Sequence, residues 1–255
     1  MPASEVLAMI TSPTNNLIKK IRKIKSGKNK DFFLMEGEKY IKDLPAYSQP
    51  VFIVNETYGG SPPEPFYIVK NSLFNALSET VTPQGIMAIC KRPGLTLQSF
   101  SNSENLSFLL LLDKISDPGN MGTIVRTALA CGVDGVIITP GSVDVYSPKA
   151  VRAGAGAMCY LNIVQNVDYS EIIDFLRAAH IKLIAASPLG KDFTGGVLDI
   201  PLCLAIGNEA RGLSSEIEKA ARYKIALPMA GGESLNAAVA CGILLYEVYR
   251  RETAA

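Results

Sequence analysis

From Leu106 onward, short unbroken aliphatic runs alternate with stretches whose apolar positions recur at three- and four-residue spacing. The runs are Leu106 to Leu112, Val133 to Ile138, Leu161 to Val164, Lys182 to Ala186, Leu202 to Ile206 and Lys224 to Leu227. Between most of them helices are predicted to start near Met121, Pro148, Tyr169 and Ser215, and a last one to run from Ser234 to Arg251. Ser147 before Pro148 is a cap-plus-proline start, and Ser215-Glu216-Ile217-Glu218 fits a capping box. Strands alternating with helices predict an α/β domain, a parallel sheet covered by helices on both faces, over 106–255. Residues 1–92 have another texture: proline-rich loops around short strands at Val51 to Val54 and Ile86 to Ile89. The polar stretch between, within RPGLTLQSFSNSENLS, reads as a linker over 93–105.

Two helices stand out. DPGNMGTIVRTALACG, residues 117–132, follows the most apolar strand. Asp117-Pro118-Gly119 supplies the turn, and Asn120 is expected to cap the first helical amides. Met121, Ile124, Val125, Ala128 and Cys131 share one side of this helix, and Arg126 lies opposite. That arginine sits where open α/β sheets place their ligands, at the carboxyl end of a buried strand. The final helix, SLNAAVACGILLYEVYR, is small or apolar nearly all round, so it needs cover on every side, part of which a second copy of the chain would supply.

Composition narrows the chemistry. A chain of 255 residues, 48% hydrophobic and 19% charged, buries a substantial core. No apolar run approaches the roughly 20 residues of a membrane span, and the first residues do not read as a signal peptide. The five cysteines stand far apart without a C-x-x-C pair, which argues against zinc and disulfides and for a reducing cytoplasm. His180 is the single histidine and reads as a helix C-terminal residue, so histidine triads and most histidine metal sites are excluded; no metal is expected. Net charge is only +1, yet KKIRKIKSGKNK, from Lys19 to Lys30, carries seven basic residues and no acid. Such a run is either a solvated helix face or a phosphate-tracking surface.

Familiar nucleotide signatures are missing: there is no G-x-x-x-x-G-K-[ST], and Gly154-Ala155-Gly156 lies in a helical stretch, not after a strand. What remains is three polar clusters, each at a strand's carboxyl end. They are Asn120 with Arg126; Gly207-Asn208-Glu209-Ala210-Arg211-Gly212-Leu213; and Glu233-Ser234-Leu235-Asn236 opening the final helix. Singly each has a structural explanation: a surface arginine, a glutamate neutralising Arg211, a serine cap. Asn236, in an apolar helix, needs partners for its amide. Three such loops from one parallel sheet converge at one edge of it, and the glycines let backbone approach a ligand closely.

These clusters resemble the three motifs of the SpoU (TrmH-like) family of RNA ribose 2′-O-methyltransferases, within the SPOUT superfamily. LDKISDPGNMGTIVRTALACGVDGVII is similar to the first, LAIGNEARGLS to the second and IALPMAGGESLNAAVA to the third; SPKAVRAGAGA also resembles a family stretch. The first part of the chain, through FFLMEGEKYIKDL and TPQGIMAI, resembles the family's small substrate-binding domain, which is similar to ribosomal protein L30e. Ala238 and Gly154 stand where the family often carries serines.

The resemblance implies a parallel sheet closed by a C-terminal trefoil knot, S-adenosylmethionine as cofactor, structured RNA (ribosomal before transfer RNA) as substrate, and a homodimer. It assigns Gly207, Leu227 and Leu235, with Ile206 and Gly212, to the cofactor, and Arg126, Asn120, Glu209, Ser234 and Asn236 to catalysis. Arg126 would come from the partner subunit, oriented by Asn120. Because a guanidinium is a very poor base, its expected role is phosphate binding and charge stabilisation. Lys19, Lys20, Arg22, Lys23 and Arg152, with Lys149 beside it, would hold RNA. The rival readings are a non-catalytic RNA-binding protein retaining the fold, a base methyltransferase and a small-molecule enzyme.

Overall fold

A computed structural model describes residues 9–42, 44–101, 106–192, 195–231 and 235–253. The first part builds helix α1 (Asn16–Lys25), strand β1 (Phe32–Glu36), helix α2 (Glu38–Ile41), strands β2 (Val51–Asn55) and β3 (Phe66–Val69), helix α3 (Asn71–Leu77) and strand β4 (Ile86–Lys91). The strands form a four-stranded sheet in the order β1-β4-β2-β3, antiparallel except for the β2–β3 pair. Alternation along them sends Leu34, Ile53, Met87 and Ile89 to one face, against Ile18, Ile21 and Ile24 of α1 and Phe74 and Leu77 of α3. The opposite residues, Phe33, Met35, Phe52, Val54 and Ala88, join the core of the second part.

Helix α4 (Leu97–Ser101) follows, inside the stretch expected to be a linker, and its Leu97 and Phe100 are buried under the second sheet. Two apolar residues three apart make a single-turn anchor that the surrounding serines and asparagines hide. The second part then runs β5 (Phe108–Leu112), α5 (Pro118–Ala130), β6 (Gly135–Ile138), α6 (Pro148–Gly154), β7 (Asn162–Gln165), α7 (Tyr169–Ala178), β8 (Lys182–Asp192), β9 (Leu202–Ile206), α8 (Ser215–Ala220), β10 (Tyr223–Ala226) and α9 (Ala237–Thr253). Its six strands pair in parallel throughout, in the order β10-β8-β9-β5-β6-β7. The period-two rule again divides the sheet. Leu110, Leu112, Val136, Leu204 and Ile206 face α5, α6, α9 and the small sheet. Leu109, Leu111, Ile137, Cys203 and Ala205 face α4, α7 and α8. A strand with both faces covered has no place for alternating polar residues, which is why its sequence is continuously aliphatic.

Four local expectations shift. Asp117, not Asn120, caps α5: its Oδ1 accepts the Asn120 amide at 2.8 Å. The capping position of α8 is Ser214, one residue earlier than expected, and Ser147 before α6 makes no side-chain cap bond. Asn236 lies just before α9, not within it, and its Oδ1 accepts the amides of Ala238 and Val239 at 2.9 and 3.3 Å. Asp117 and Asn236 thus bond the first turns of their helices through their side chains, whereas Ser214 and Ser147 hold the cap position without such a bond. His180 follows α7 in the left-handed region with φ +55°, its N–H donating to the Arg177 carbonyl.

Helices α5 and α6 touch backbone to backbone at Gly122, where a Cβ would stand 2.3 Å from the Ala150 carbonyl and 2.7 Å from Ala153 Cβ. Gly122→Ala is therefore expected to destabilise the protein by about 1–3 kcal/mol through overpacking, read as a lower urea midpoint with an unchanged slope.

Candidate active site

Strand β5 ends in a buried carboxylate. Asp113 accepts hydrogen bonds from Thr139 Oγ1 (2.9 Å), Tyr169 Oη (3.1 Å) and the Ser214 amide (2.6 Å). A buried charge persists only when hydrogen-bonded, and these three donors come from the ends of β6, α7 and the loop after β9. Asp113 thus ties that loop to the sheet edge. Nothing in the motif reading singled it out. The available signal was an acid directly after a doubly buried strand.

The loop after β9 closes on itself. Asn208 and Gly212 exchange backbone hydrogen bonds at 3.0 and 2.9 Å, and Asn208 Oδ1 accepts the amides of Ala210 and Arg211. Asn208 Nδ2 reaches across to the Lys114 carbonyl at 2.9 Å, pinning this loop to the one after β5. Gly207 packs against Gly212 so tightly that a Cβ would lie 2.3 Å from the Gly212 carbonyl carbon. Asn208, another residue the sequence reading left unassigned, is the hinge pin of this turn.

With Asp117 capping α5, the side chain of Asn120 is released for other partners. Its Nδ2 donates to Glu209 Oε1 at 2.6 Å, and its Oδ1 accepts from Asn236 Nδ2 at 3.1 Å. One amide therefore joins the loops after β5, β9 and β10. The structure brings together Asn120, Glu209 and Asn236. It does not bring Arg126 into that group: Arg126 is exposed, roughly 9 Å further along α5 at 1.5 Å per residue, and has no hydrogen bond or ion pair among the described residues. The Asn120 amide makes its bonds to Glu209 and Asn236 and none to Arg126 of its own chain. Ser234 lies outside the described residues.

Beside the three loops is a cavity of about 390 Å³, in the range of small-molecule sites. Ile206, Gly207, Gly212, Leu227 and Leu235, the five residues expected at a cofactor, all line it. A further wall comes from residues 186–189, where β8 leaves its partner. Pairing with β10 stops at Ala185 and resumes at Lys191, and Gly190 lies against β10 with no room for a Cβ, which would be 2.4 Å from the Ile225 carbonyl carbon. Among the described residues no three potential metal ligands cluster.

On the outer side, α9 buries Ala237, Ala238, Cys241, Leu244, Leu245 and Val248 and leaves Val239, Ile243 and Tyr246 exposed, beside Thr123 and Thr127 of α5. The basic face lies elsewhere. Lys19, Arg22 and Lys23 are exposed on α1, Lys20 covers the Phe32 ring at 3.6 Å, and Arg152 of α6 donates to the Glu79 carbonyl at 2.9 Å.

Residues 107–246 match the sequence profile of the SpoU rRNA Methylase family. The 23S rRNA (guanosine(2553)-2′-O)-methyltransferase RlmP of Bacillus subtilis is 29% identical over 253 residues, covering 95% of this chain and 99% of that protein. An uncharacterized tRNA/rRNA methyltransferase of Synechocystis, slr1673, is 30% identical over 273 residues, covering 100% of this chain and 98% of its own. Among solved structures, the AdoMet-bound rRNA methyltransferase of Sinorhizobium meliloti superposes with a TM-score of 0.81 at 28% identity, covering 96% of this chain and 98% of that one. The AdoMet complex of the methyltransferase AviRb from Streptomyces viridochromogenes gives 0.83 at 26% identity, over 94% of this chain and 100% of that one.

The backbone amide of Asn120 lowers the Asp117 pKa, with the Lys149 side chain adding to it. A lowered folded value means the cap's stabilisation is full above the ordinary value of 3.8 and fades as pH falls through the lower one. The deficit of Asp117→Ala in urea midpoint should accordingly be largest near neutrality and close in acid.

Proposed function

The chain belongs to the SpoU rRNA methylase family, and from that premise we propose that it transfers the methyl group of S-adenosylmethionine to a ribose 2′-hydroxyl of ribosomal RNA. The observation that carries this reading is the hydrogen-bond chain Asn236–Asn120–Glu209, which joins three motif loops beside one cavity. The cavity fits the cofactor. Its walls of Ile206, Leu227 and Leu235 suit an adenosine, and the Gly207–Gly212 turn offers backbone with no side chain in the way. Bound there, the cofactor supplies an electrophilic methyl group on a sulfonium.

The protein's own work is alignment and charge. Asn120, Glu209 and Asn236 hold the loops so that the hydroxyl is presented to the cavity mouth, and Ser234 is assigned to the same catalytic group. Arg126 grips a substrate phosphate and stabilises negative charge developing on the attacking oxygen, since a guanidinium does not take up the proton. Its freedom from partners among the described residues supports a role toward RNA and toward the second subunit of a homodimer. The exposed apolar strip of Val239, Ile243 and Tyr246 beside it supports that dimer face. The close approach of Gly190 to β10, with α9 folded back on α5, supports the C-terminal knot. In the same proposal 1–92 is the RNA-binding domain, 93–105 the link and 106–255 the catalytic domain. Lys19, Lys20, Arg22, Lys23 and Arg152 are its phosphate contacts. Five free cysteines fit a cytoplasmic setting.

Labelled methyl transfer to unmodified ribosomal RNA, followed by alkaline digestion, tests it. The expected product is alkali-resistant dinucleotides, with Arg126→Ala slower by about 10²–10³-fold. Label in mononucleotides would put the chemistry on a base and overturn the proposal.

A further inference from the structure

The small sheet and α6 enclose a second cavity, of about 270 Å³, that the methyl-transfer reading does not use. Its floor is apolar, made of Leu34, Met35, Phe74, Ile86 and Val151. Backbone closes one wall. Gly156, with φ +85°, lies here, and a Cβ on it would press on the end of the Met35 side chain, 2.9 Å from Cε. The loop opposite is fixed in advance. The Glu36 carboxylate accepts from Ser78 Oγ at 2.7 Å and from the Glu79 amide at 2.8 Å, and the Glu79 carboxylate pairs with Lys25 at 2.8 Å, so both acids that line the cavity are held by partners.

At the mouth stand Tyr40, Gln84 and Arg152. Gln84 Oε1 accepts the Glu38 amide at 2.9 Å, which orients the side chain and leaves Nε2 as the free end. Neither Gln84 Nε2 nor the Tyr40 hydroxyl has a partner among the described residues. An apolar cleft at a domain junction, with an aromatic ring, one oriented donor and a rim cation, matches the chemistry of a neutral heteroaromatic ring attached to a phosphate.

Its position specifies the source of that ring. Lys25, at the end of the basic helix α1, pairs with Glu79 at 2.8 Å, and the Glu79 carbonyl accepts from Arg152. The rim thus meets the C-terminal end of α1, the helix that also carries Lys19, Arg22 and Lys23. On its other side, α6 carries Lys149, which pairs at 3.3 Å with Asp117, the cap of the helix that bears Asn120. A polynucleotide running from α1 to the three motif loops passes this mouth.

We propose that the cavity takes one unpaired base of the RNA substrate, distinct from the methylated nucleotide. The inference rests on the RNA-methyltransferase reading above. The base lies against Tyr40, presents an acceptor on its edge to Gln84 Nε2 and sets its phosphate on Arg152. Gln84 Nε2 is met best by an edge with a carbonyl or an unprotonated ring nitrogen.

The test compares wild type, Val151→Phe, which fills the cavity, and Gln84→Leu, which removes the donor at similar size. Affinity for transcribed 23S ribosomal RNA is measured by filter binding at fixed salt. S-adenosylhomocysteine affinity, by calorimetry, checks that each variant is folded. Both variants should bind the RNA about tenfold more weakly, the effect of losing one stacked base, with S-adenosylhomocysteine affinity unchanged. Should Val151→Phe fail the folding check, Gln84→Leu decides alone. Equal RNA affinity in folded variants and wild type overturns the pocket and leaves the methyl-transfer reading standing. Wild type that binds no RNA at all overturns both. A parallel arm adds the four nucleoside 5′-monophosphates to wild type with ligand-detected NMR. Saturation transfer lost in Gln84→Leu, with RNA affinity unaffected, would assign the cavity to a free nucleotide and overturn the RNA source.

Discussion

The side-chain amide of Asn120 is the bond on which the site depends. It donates to Glu209 and accepts from Asn236, so three loops far apart in the chain share one fixed geometry. An amide is suited to this because it offers a donor and an acceptor on opposite atoms, and each of its neighbours needs the complement. The arrangement requires that Asn120 be relieved of capping its own helix. Asp117 performs that task, as a carboxylate favoured at a helix N-terminus and further held by Lys149. Cap and site are therefore one device: remove the cap acceptor and the Asn120 amide has two claims on it.

The sheet imposes the rest. Every strand of β5, β6 and β9 is covered on both faces, so functional polar groups have room only where strands end. Asp113 marks that boundary. It is the first charged residue after Leu112, and its three donors convert an expensive burial into the anchor of the loop after β9. The same crowding explains the glycines at 207 and 190, where backbone meets backbone with no space for a Cβ.

Much of this was legible in the sequence. The six strands of the large sheet and their parallel pairing follow from aliphatic runs alternating with helical spacing, while the five cavity residues came from the resemblance of the polar clusters to the family's motifs. The caps did not follow, because Asp117, Ser214 and Asn236 compete with neighbours of equal propensity and only the angle of chain entry decides between them. Strands β1 and β3 were not picked out, although they are of much the same length as β2 and lie in the same sheet. Helix α4 escaped the periodicity because two buried residues anchor it among serines and asparagines. The detour of β8 over 186–190 carries only the weak signal of Pro188 and Gly190, since the strand's pairing on either side is regular.

The central claim is that Asn120 and Glu209 act as one unit in methyl transfer. A double-mutant cycle on Asn120→Ala and Glu209→Ala, read as kcat for ribosomal RNA at saturating S-adenosylmethionine, tests it most directly. If the two residues work through their shared hydrogen bond, the double variant is expected to be no slower than the worse single one. Strictly additive losses would mean that they act independently, and that the bond between them is incidental to the chemistry.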